Sequence, residues 1–292
     1  MQNIKKIIAD ISLTDDIKML TQSYEEISVM RMQKIRGSVL NTRQFLGKID
    51  EIFQDVKNSY HNQIVALMKK NKNYVKGVIS TMKKNGKTVS VLVSANNKLH
   101  GDITVRVFRQ FVVDINKQNT DIIIIGKLGK DLYHAEGITK EYQYFEVPDQ
   151  AELGPELFTP IIHQLVNYEK VEVYYGKFES IVNQNPSVEN VSGNQELELD
   201  GKKREVMHFL FEPSLEKILA FFETQIFTSM FKQTVHESHL SLFASRINAM
   251  ESALQNITSQ LIILGSEKRR TKKLMDNKKQ LERVAGRLLW AS

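Results

Sequence analysis

Apolar side chains at Leu240, Phe243, Ile247, Met250, Leu254, Ile257, Leu261 and Leu264 follow one another at spacings that alternate between three and four. That rhythm draws one narrow stripe along a helix, the pattern of a helix lying against a partner helix. No proline follows Pro213, so one helix can run from there almost to the C-terminus, roughly 110 Å at 1.5 Å per residue. Such a helix exceeds the diameter of a small domain. It must wind around another long helix or thread into something larger.

A second stripe of the same spacing lies at the opposite end of the chain. It comprises Met32, Ile35, Val39, Leu46, Ile49, Phe53 and Val56, with Thr42 as its one polar member and Tyr60 at its end. Upstream, Ile4, Ile7 and Ile11 begin a stripe that Leu20, Tyr24 and Ile27 continue. Residues 1–60 therefore read as an N-terminal coiled-coil helix and 205–292 as a C-terminal one. Residues 61–86 read as a connecting helical segment that stops at Asn85-Gly86, a helix-ending pair. Two terminal helices with similar seams, separated by a domain that brings the chain back, are best satisfied by an antiparallel coiled coil. The expected pairing sets Leu240–Leu264 against Met32–Tyr60.

Between them the period changes. Thr88–Val93 is β-branched and bounded by turn residues, and Asp121–Ile125 is a continuous apolar run of the kind found in strands covered on both faces. Glu169–Tyr175 reads as another strand, Pro155–Tyr168 as a helix, and residues 103–117 as helix or strand. Strands alternating with helices predict a Rossmann-like α/β layer with right-handed crossovers. The insert spans 87–204, its last part (185–204) being a polar connection with a short strand at Glu196–Leu199. The expected fold class is thus α/β plus coiled coil.

Composition narrows the chemistry. Of 292 residues none is cysteine, which excludes disulfides, thiolate metal sites and cysteine nucleophiles. The charge of +6 suits an acidic partner, and its only dense run is Lys268, Arg269, Arg270, Thr271, Lys272 and Lys273. Met1–Leu20 carries charges throughout and is not a signal peptide, and no window approaches the length of uncharged apolar chain that spans a membrane. Gly126-Lys127-Leu128-Gly129-Lys130 follows a strand but lacks the GxxxxGK[ST] spacing of a phosphate loop, so an ordinary turn is the better reading. His236 and His239 have a helical spacing able to ligate a metal, yet no carboxylate partner motif accompanies them, and surface or seam histidines are expected. No nucleophile elbow occurs. Neither a catalytic site nor a cofactor site is expected.

Several separate stretches resemble the motifs of one known family. Glu25, Ile27, Arg31, Met32 and Lys34 fall where that family has its N-terminal basic segment. Ser94-Ala95-Asn96-Asn97-Lys98-Leu99-His100-Gly101 falls on S-x-D-R-G-L-C-G, and Ile125–Gly129 on I-G-x-K-G. Val173–Phe178 with Gln184 and Pro186, and Phe211-Glu212-Pro213-Ser214, resemble two further motifs. Glu237, Arg246-Ile247-Asn248-Ala249-Met250, Ala253 and Asn256 resemble the C-terminal signature, and Glu282 and Gly286 its closing motif. Together they resemble the gamma subunits of F-type ATP synthases, from which the chain departs at Asn96 and Asn97, at His100, at Glu26 and Val29, and at Lys272-Lys273 with Asp276-Asn277.

The resemblance implies a noncatalytic central-stalk rotor, peripheral to the cytoplasmic face of the cell membrane. Its implied partners are three alpha and three beta subunits, the epsilon subunit and the c-ring. It also implies rotor–stator contacts at Arg31, Lys34, Lys268, Arg269, Arg270, Lys272, Lys273 and Glu282. Two alternatives stand beside it: a coiled-coil adaptor with an α/β recognition domain outside the ATPase, and a nucleic-acid binder using the 268–273 run. The matched seam inside one chain disfavours the latter, and no nucleic-acid partner is expected.

Overall fold

A computed structural model describes residues 4–60, 84–149, 155–192 and 214–290. Ten elements follow one another: α1 (Ile4–Ser59), β1 (Thr88–Val93), α2 (Ile103–Lys117), β2 (Asp121–Ile125), α3 (Lys127–Ala135), β3 (Gln143–Phe145), α4 (Pro155–Leu165), β4 (Lys170–Phe178), β5 (Gln184–Asn190) and α5 (Leu215–Trp290). The architecture is two long terminal helices flanking an α/β insert. Contacts divide the chain into two compact units, one of residues 30–245 and one joining the chain up to Val29 with the chain from Arg246. Both terminal helices contribute to each unit. Residues 61–83, the Glu196–Leu199 strand and Phe211–Pro213 lie outside the described residues.

In the unit of residues 30–245 the sheet has the order β3-β2-β1-β4-β5. The first four strands are parallel, with Val91 beside both Ile123 and Val173, and β5 runs antiparallel at the edge, Gly176 opposite Pro186. Alternating side chains feed two apolar layers, because successive residues of a strand point to opposite faces. Val89, Val91, Val93, Ile123, Ile125, Val171, Val173 and Tyr175 pack with Phe158, Ile161 and Leu165 of α4 and with Phe227, Phe231 and Val235 of α5. Leu92, Ile122, Ile124 and Tyr174 pack with Ile103, Val107, Phe111 and Ile115 of α2, with Tyr133 of α3, and with Leu242 of α5. Residues 103–117 are therefore helix, one apolar face turned to the sheet. Trimming Ile161, 1 % exposed, to valine removes one methylene from a closed layer. That should lower stability by about 1 kcal/mol in denaturant titration.

Two strands escaped the sequence reading. β3 has only three residues and lacks an apolar period, and β5 contains Pro186, which reads as a turn. Proline is tolerated there because β5 is an edge strand. Its range belongs to the sheet, correcting the polar connection expected from residue 185.

The helices of this unit pack antiparallel, in a register different from the one expected. Ile35 and Val39 of α1, with Met32 beside them, cluster with Leu240 and Phe243 of α5. Further along α1, Ile49, Phe53 and Val56 cluster with Leu219 and Ile226, the rings of Phe53 and Phe222 lying 5.5 Å apart. The Met32–Tyr60 stripe thus runs down to Leu215, and only its first turns meet the Leu240 end. The reason is that α5 carries usable apolar positions well before its strict seam begins. Leu46 is half-buried in this stretch.

In the other unit, Met250 and Leu264 are buried, whereas Ile247, Leu254, Ile257 and Leu261 are half-buried. On α1 the row that turns inward is Ile7, Thr14, Thr21 and Ser28, seven residues apart, with Thr14 half-buried. Each hydroxyl donates back to the carbonyl four residues earlier, at 2.6 Å for Thr14, 2.8 Å for Thr21 and 2.6 Å for Ser28. Of the expected apolar row, Ile7 is buried and Ile4 and Ile11 are half-buried, but Leu20, Tyr24 and Ile27 are turned outward, in line with Leu13 and Ile17. Leu13, Ile17, Leu20, Tyr24 and Ile27 are 60, 44, 61, 45 and 38 % exposed.

Candidate functional site

In doubly wound sheets the ligand crevice opens beyond the carboxyl ends of strands where the connections diverge to opposite faces. Here that point lies between β1 and β4. A helix of the same chain fills it. Gly176 of β4 and Gly101 after β1 lie against Ser241 and Ser245 of α5, so close that a Cβ on Gly176 would sit 2.7 Å from the Ser241 hydroxyl. Ser238, Ser241 and Ser245 are all buried. A small-residue row on one face of a helix lets the sheet approach its backbone.

The loop from Ser94 to Gly101 is the other half of this joint. Ser94 donates its hydroxyl to the Ile125 carbonyl at 2.8 Å. The first free N–H groups of α3 are all taken by the same loop: Lys127 N by the Asn96 side-chain oxygen at 2.8 Å, Leu128 N by the Ala95 carbonyl at 2.8 Å, and Gly129 N by Ser94 Oγ at 2.9 Å. A phosphate would need those donors, so the Gly126–Lys130 turn is filled from within.

At the centre sits Asp149, 5 % exposed. Its carboxylate accepts from Asn96 N at 2.9 and 3.0 Å, from Asn97 N at 3.0 Å and from Asn97 Nδ2 at 3.1 Å. His100 Nε2 lies 3.8 Å away. Burial pushes this carboxyl up, but the donors from His100, Asn96 and Asn97 outweigh it and hold the group below its ordinary value. His100 Nδ1 lies 3.2 Å from the Leu242 carbonyl of α5; a carbonyl only accepts, so that nitrogen carries the proton. Arg31 of α1 donates to the Asp149 carbonyl at 3.1 Å and stacks over Phe243 at 5.9 Å. One short segment thereby touches the loop, α1 and, through His100, α5.

A second fastening lies on the neighbouring strands. Tyr175 donates to Glu189 at 2.9 Å, and Thr234 of α5 donates to the same carboxylate at 3.4 Å. Glu237, beside it, is raised by burial, with the Arg43 charge opposing the rise.

The other candidate residues fall elsewhere. His236 and His239 are buried, not at the surface, and neither Nδ1 has a hydrogen-bond partner among the described residues. Burial lowers both; His239 falls to about 4, although the Asp149 charge opposes the shift. Among the described residues no group of three or more possible ligands is placed to hold a metal. Lys268, Arg269, Arg270, Lys272, Lys273 and Lys34 are exposed, and Glu282 is exposed 3.9 Å from Lys278. Asp149, Ser241 and Ser245 were not singled out from sequence, and Gly176 only as one residue of the Val173–Phe178 stretch. Only the three buried serines at helical spacing carried a local signal.

The crevice of the sheet domain is thus plugged by the chain's own long helix, which makes the domain a head carried on a helical shaft. The chain belongs to the ATP synthase family of gamma subunits: the family model, described as ATP synthase, matches residues 3–273. Its role is that of the central-stalk rotor of an F-type ATP synthase. The ATP synthase gamma chain of Staphylococcus epidermidis is 23 % identical over 300 residues, covering 98 % of each chain. That of Staphylococcus aureus is 23 % identical over 298 residues, again 98 % of each. Among solved structures, the fold is similar to a chain of the Tetrahymena thermophila mitochondrial ATP synthase central stalk and c-ring (TM-score 0.58, 18 % identity, 80 % of this chain and 99 % of that one). It is also similar to a chain of the Euglena gracilis mitochondrial ATP synthase OSCP/F1/c-ring assembly (TM-score 0.51, 15 % identity, 87 % and 92 %).

Proposed function

We propose that this chain turns inside a ring of three alpha and three beta subunits, with its α/β head on the epsilon subunit and the c-ring. It makes and breaks no bond of ATP itself. The observation that carries this reading is the outward stripe Leu13, Ile17, Leu20, Tyr24 and Ile27. A row of large apolar side chains at three–four spacing, left in water, needs a sheath. A collar around the shaft supplies one without fixing it in place. The exposed cations from Lys268 to Lys273 suit acidic loops of such a collar, steering position through long-range attraction. Arg31, Lys34 and Glu282 are the further contact candidates. Arg31 already serves its own head through the Asp149 carbonyl, and the exposed basic run is the stronger candidate. Among the described residues no helix is long and apolar enough to cross a membrane, consistent with a peripheral position, for which the cytoplasmic face of the cell membrane is proposed.

The mechanism is mechanical. An asymmetric shaft presents a different face to each beta subunit as it turns, so ion flow through the ring beneath drives the three sites through their conformations in sequence. Co-expression with its cognate alpha and beta chains should yield one complex whose ATP hydrolysis turns a bead fixed to this chain. Purification of the chain without alpha and beta, or hydrolysis without rotation, would overturn the reading and favour the adaptor alternative.

A further inference from the structure

The head must pass torque to the shaft, and α5 meets it through apolar packing and through a few polar bonds. The glycine–serine contacts at Gly101 and Gly176 hold by shape alone. Asp149 is different, because polar bonds converge on it from three directions. Its carboxylate gathers the Ser94–Gly101 loop through four hydrogen-bond contacts within 3.1 Å. Asn96 extends the network to the Val147 carbonyl at 2.7 Å and to the start of α3 at 2.8 Å. The Asp149 carbonyl takes Arg31 of α1, and His100 joins the carboxylate to the Leu242 carbonyl of α5. The ring of Phe243 lies under both partners, 5.9 Å from the His100 centroid and 5.9 Å from the Arg31 guanidinium.

We propose that Asp149 is a positioning residue for torque transmission, a latch that fixes the twist of the α/β head relative to both shaft helices. This rests on the rotor reading above. A buried carboxylate with several donors is suited to the task, since charge-assisted bonds are stiff, directional and costly to leave unmade. Asn96 and Asn97 supply these donors. Both give their backbone N–H groups to the carboxylate, and Asn97 adds its side-chain amide, while the Asn96 side chain bonds the Val147 carbonyl and Lys127 N. Without the carboxylate the Ser94–Gly101 loop loses its organising acceptor, and the head stays on the shaft through its apolar packing and the Thr234–Glu189 bond, neither of which holds that loop.

The test uses the complex with cognate alpha and beta chains made free of cysteine. This chain has no cysteine, so a thiol placed at Val182, 82 % exposed on the head, or at Leu40, 52 % exposed on α1, is the only attachment point for a bead. During stalls under load, Asp149→Ala should widen the angular fluctuations of a bead at Val182→Cys by about two-fold or more, leaving those at Leu40→Cys unchanged. Unloaded ATP hydrolysis should stay as in the parent. Asp149→Asn, which keeps one acceptor oxygen, should give an intermediate width and serves if the alanine variant does not assemble. Equal widths in variant and parent at Val182, or equal widening at both points, would overturn the latch. If the parent bead at Leu40 does not rotate at all, the rotor reading has failed instead.

Discussion

Replacing Gly101 with valine should cost about 3–5 kcal/mol and loosen the head from α5. Two independent effects add. Gly101 holds φ at +62°, a left-handed conformation that a β-branched residue adopts only under strain. A Cβ there would also lie 2.4 Å from the Ser245 hydroxyl and 3.0 Å from the Ser245 carbonyl oxygen. The hydroxyl is able to move aside; the carbonyl belongs to a helix and is not. Ser245→Gly should therefore restore only part of the loss. Urea titration of the single and double variants measures both terms, and a loss under about 1 kcal/mol for Gly101→Val would show that loop and helix are not in close contact.

The second large effect is a loss of stability in mild acid. His239 is buried and holds a pKa of about 4 in the folded chain, against about 6.5 for an unfolded histidine. Between those values the unfolded chain binds a proton that the folded chain does not. Stability therefore falls as pH falls from about 6.5 to about 4, by on the order of 3 kcal/mol in all. His236, lowered chiefly by burial and also by Lys232, acts in the same sense. Asp149, held low, adds its own loss only in stronger acid. Glu237, raised by burial, acts oppositely: its contribution is greatest in acid and fades as pH rises. The groups around His239 are Asp149, His236 and His100, so His239→Leu should flatten the slope without removing the Asp149 network. Glu237→Gln should steepen it. Thermal melting followed across this range decides the matter, and a parent chain equally stable at both ends would mean that water reaches the ring.

Sequence and structure agree most where a period was long and strict. The strands at Thr88–Val93 and Asp121–Ile125 were legible because buried parallel strands are apolar throughout, and the helix after Pro213 because nothing interrupts it. The pairing register was not legible. Apolar stripes at three–four spacing fit one another in many offsets, and what selects among them here is the packing of Phe227, Phe231 and Val235 on the sheet, a contact with no local signature. The outward turn of Leu20, Tyr24 and Ile27 was hidden for a related reason. Hydrophobicity ranks residues by their dislike of water, and in this helix the smaller Thr21 and Ser28 take the inward positions. The joint was least visible of all, since Asp149 gains its meaning only from loops that folding brings to it.

The inward hydroxyl row of α1 has a last consequence. Thr14, Thr21 and Ser28 each spend their hydroxyl on their own helix, so none of them ties that helix to a neighbour at a fixed height. Nearer the head, Phe53 against Phe222 and the large residues around them interlock and do set the height. The N-terminal helix is therefore keyed to its partner by large side chains between Ile49 and Val56, whereas between Thr14 and Ser28 its inward hydroxyls are spent within the helix itself.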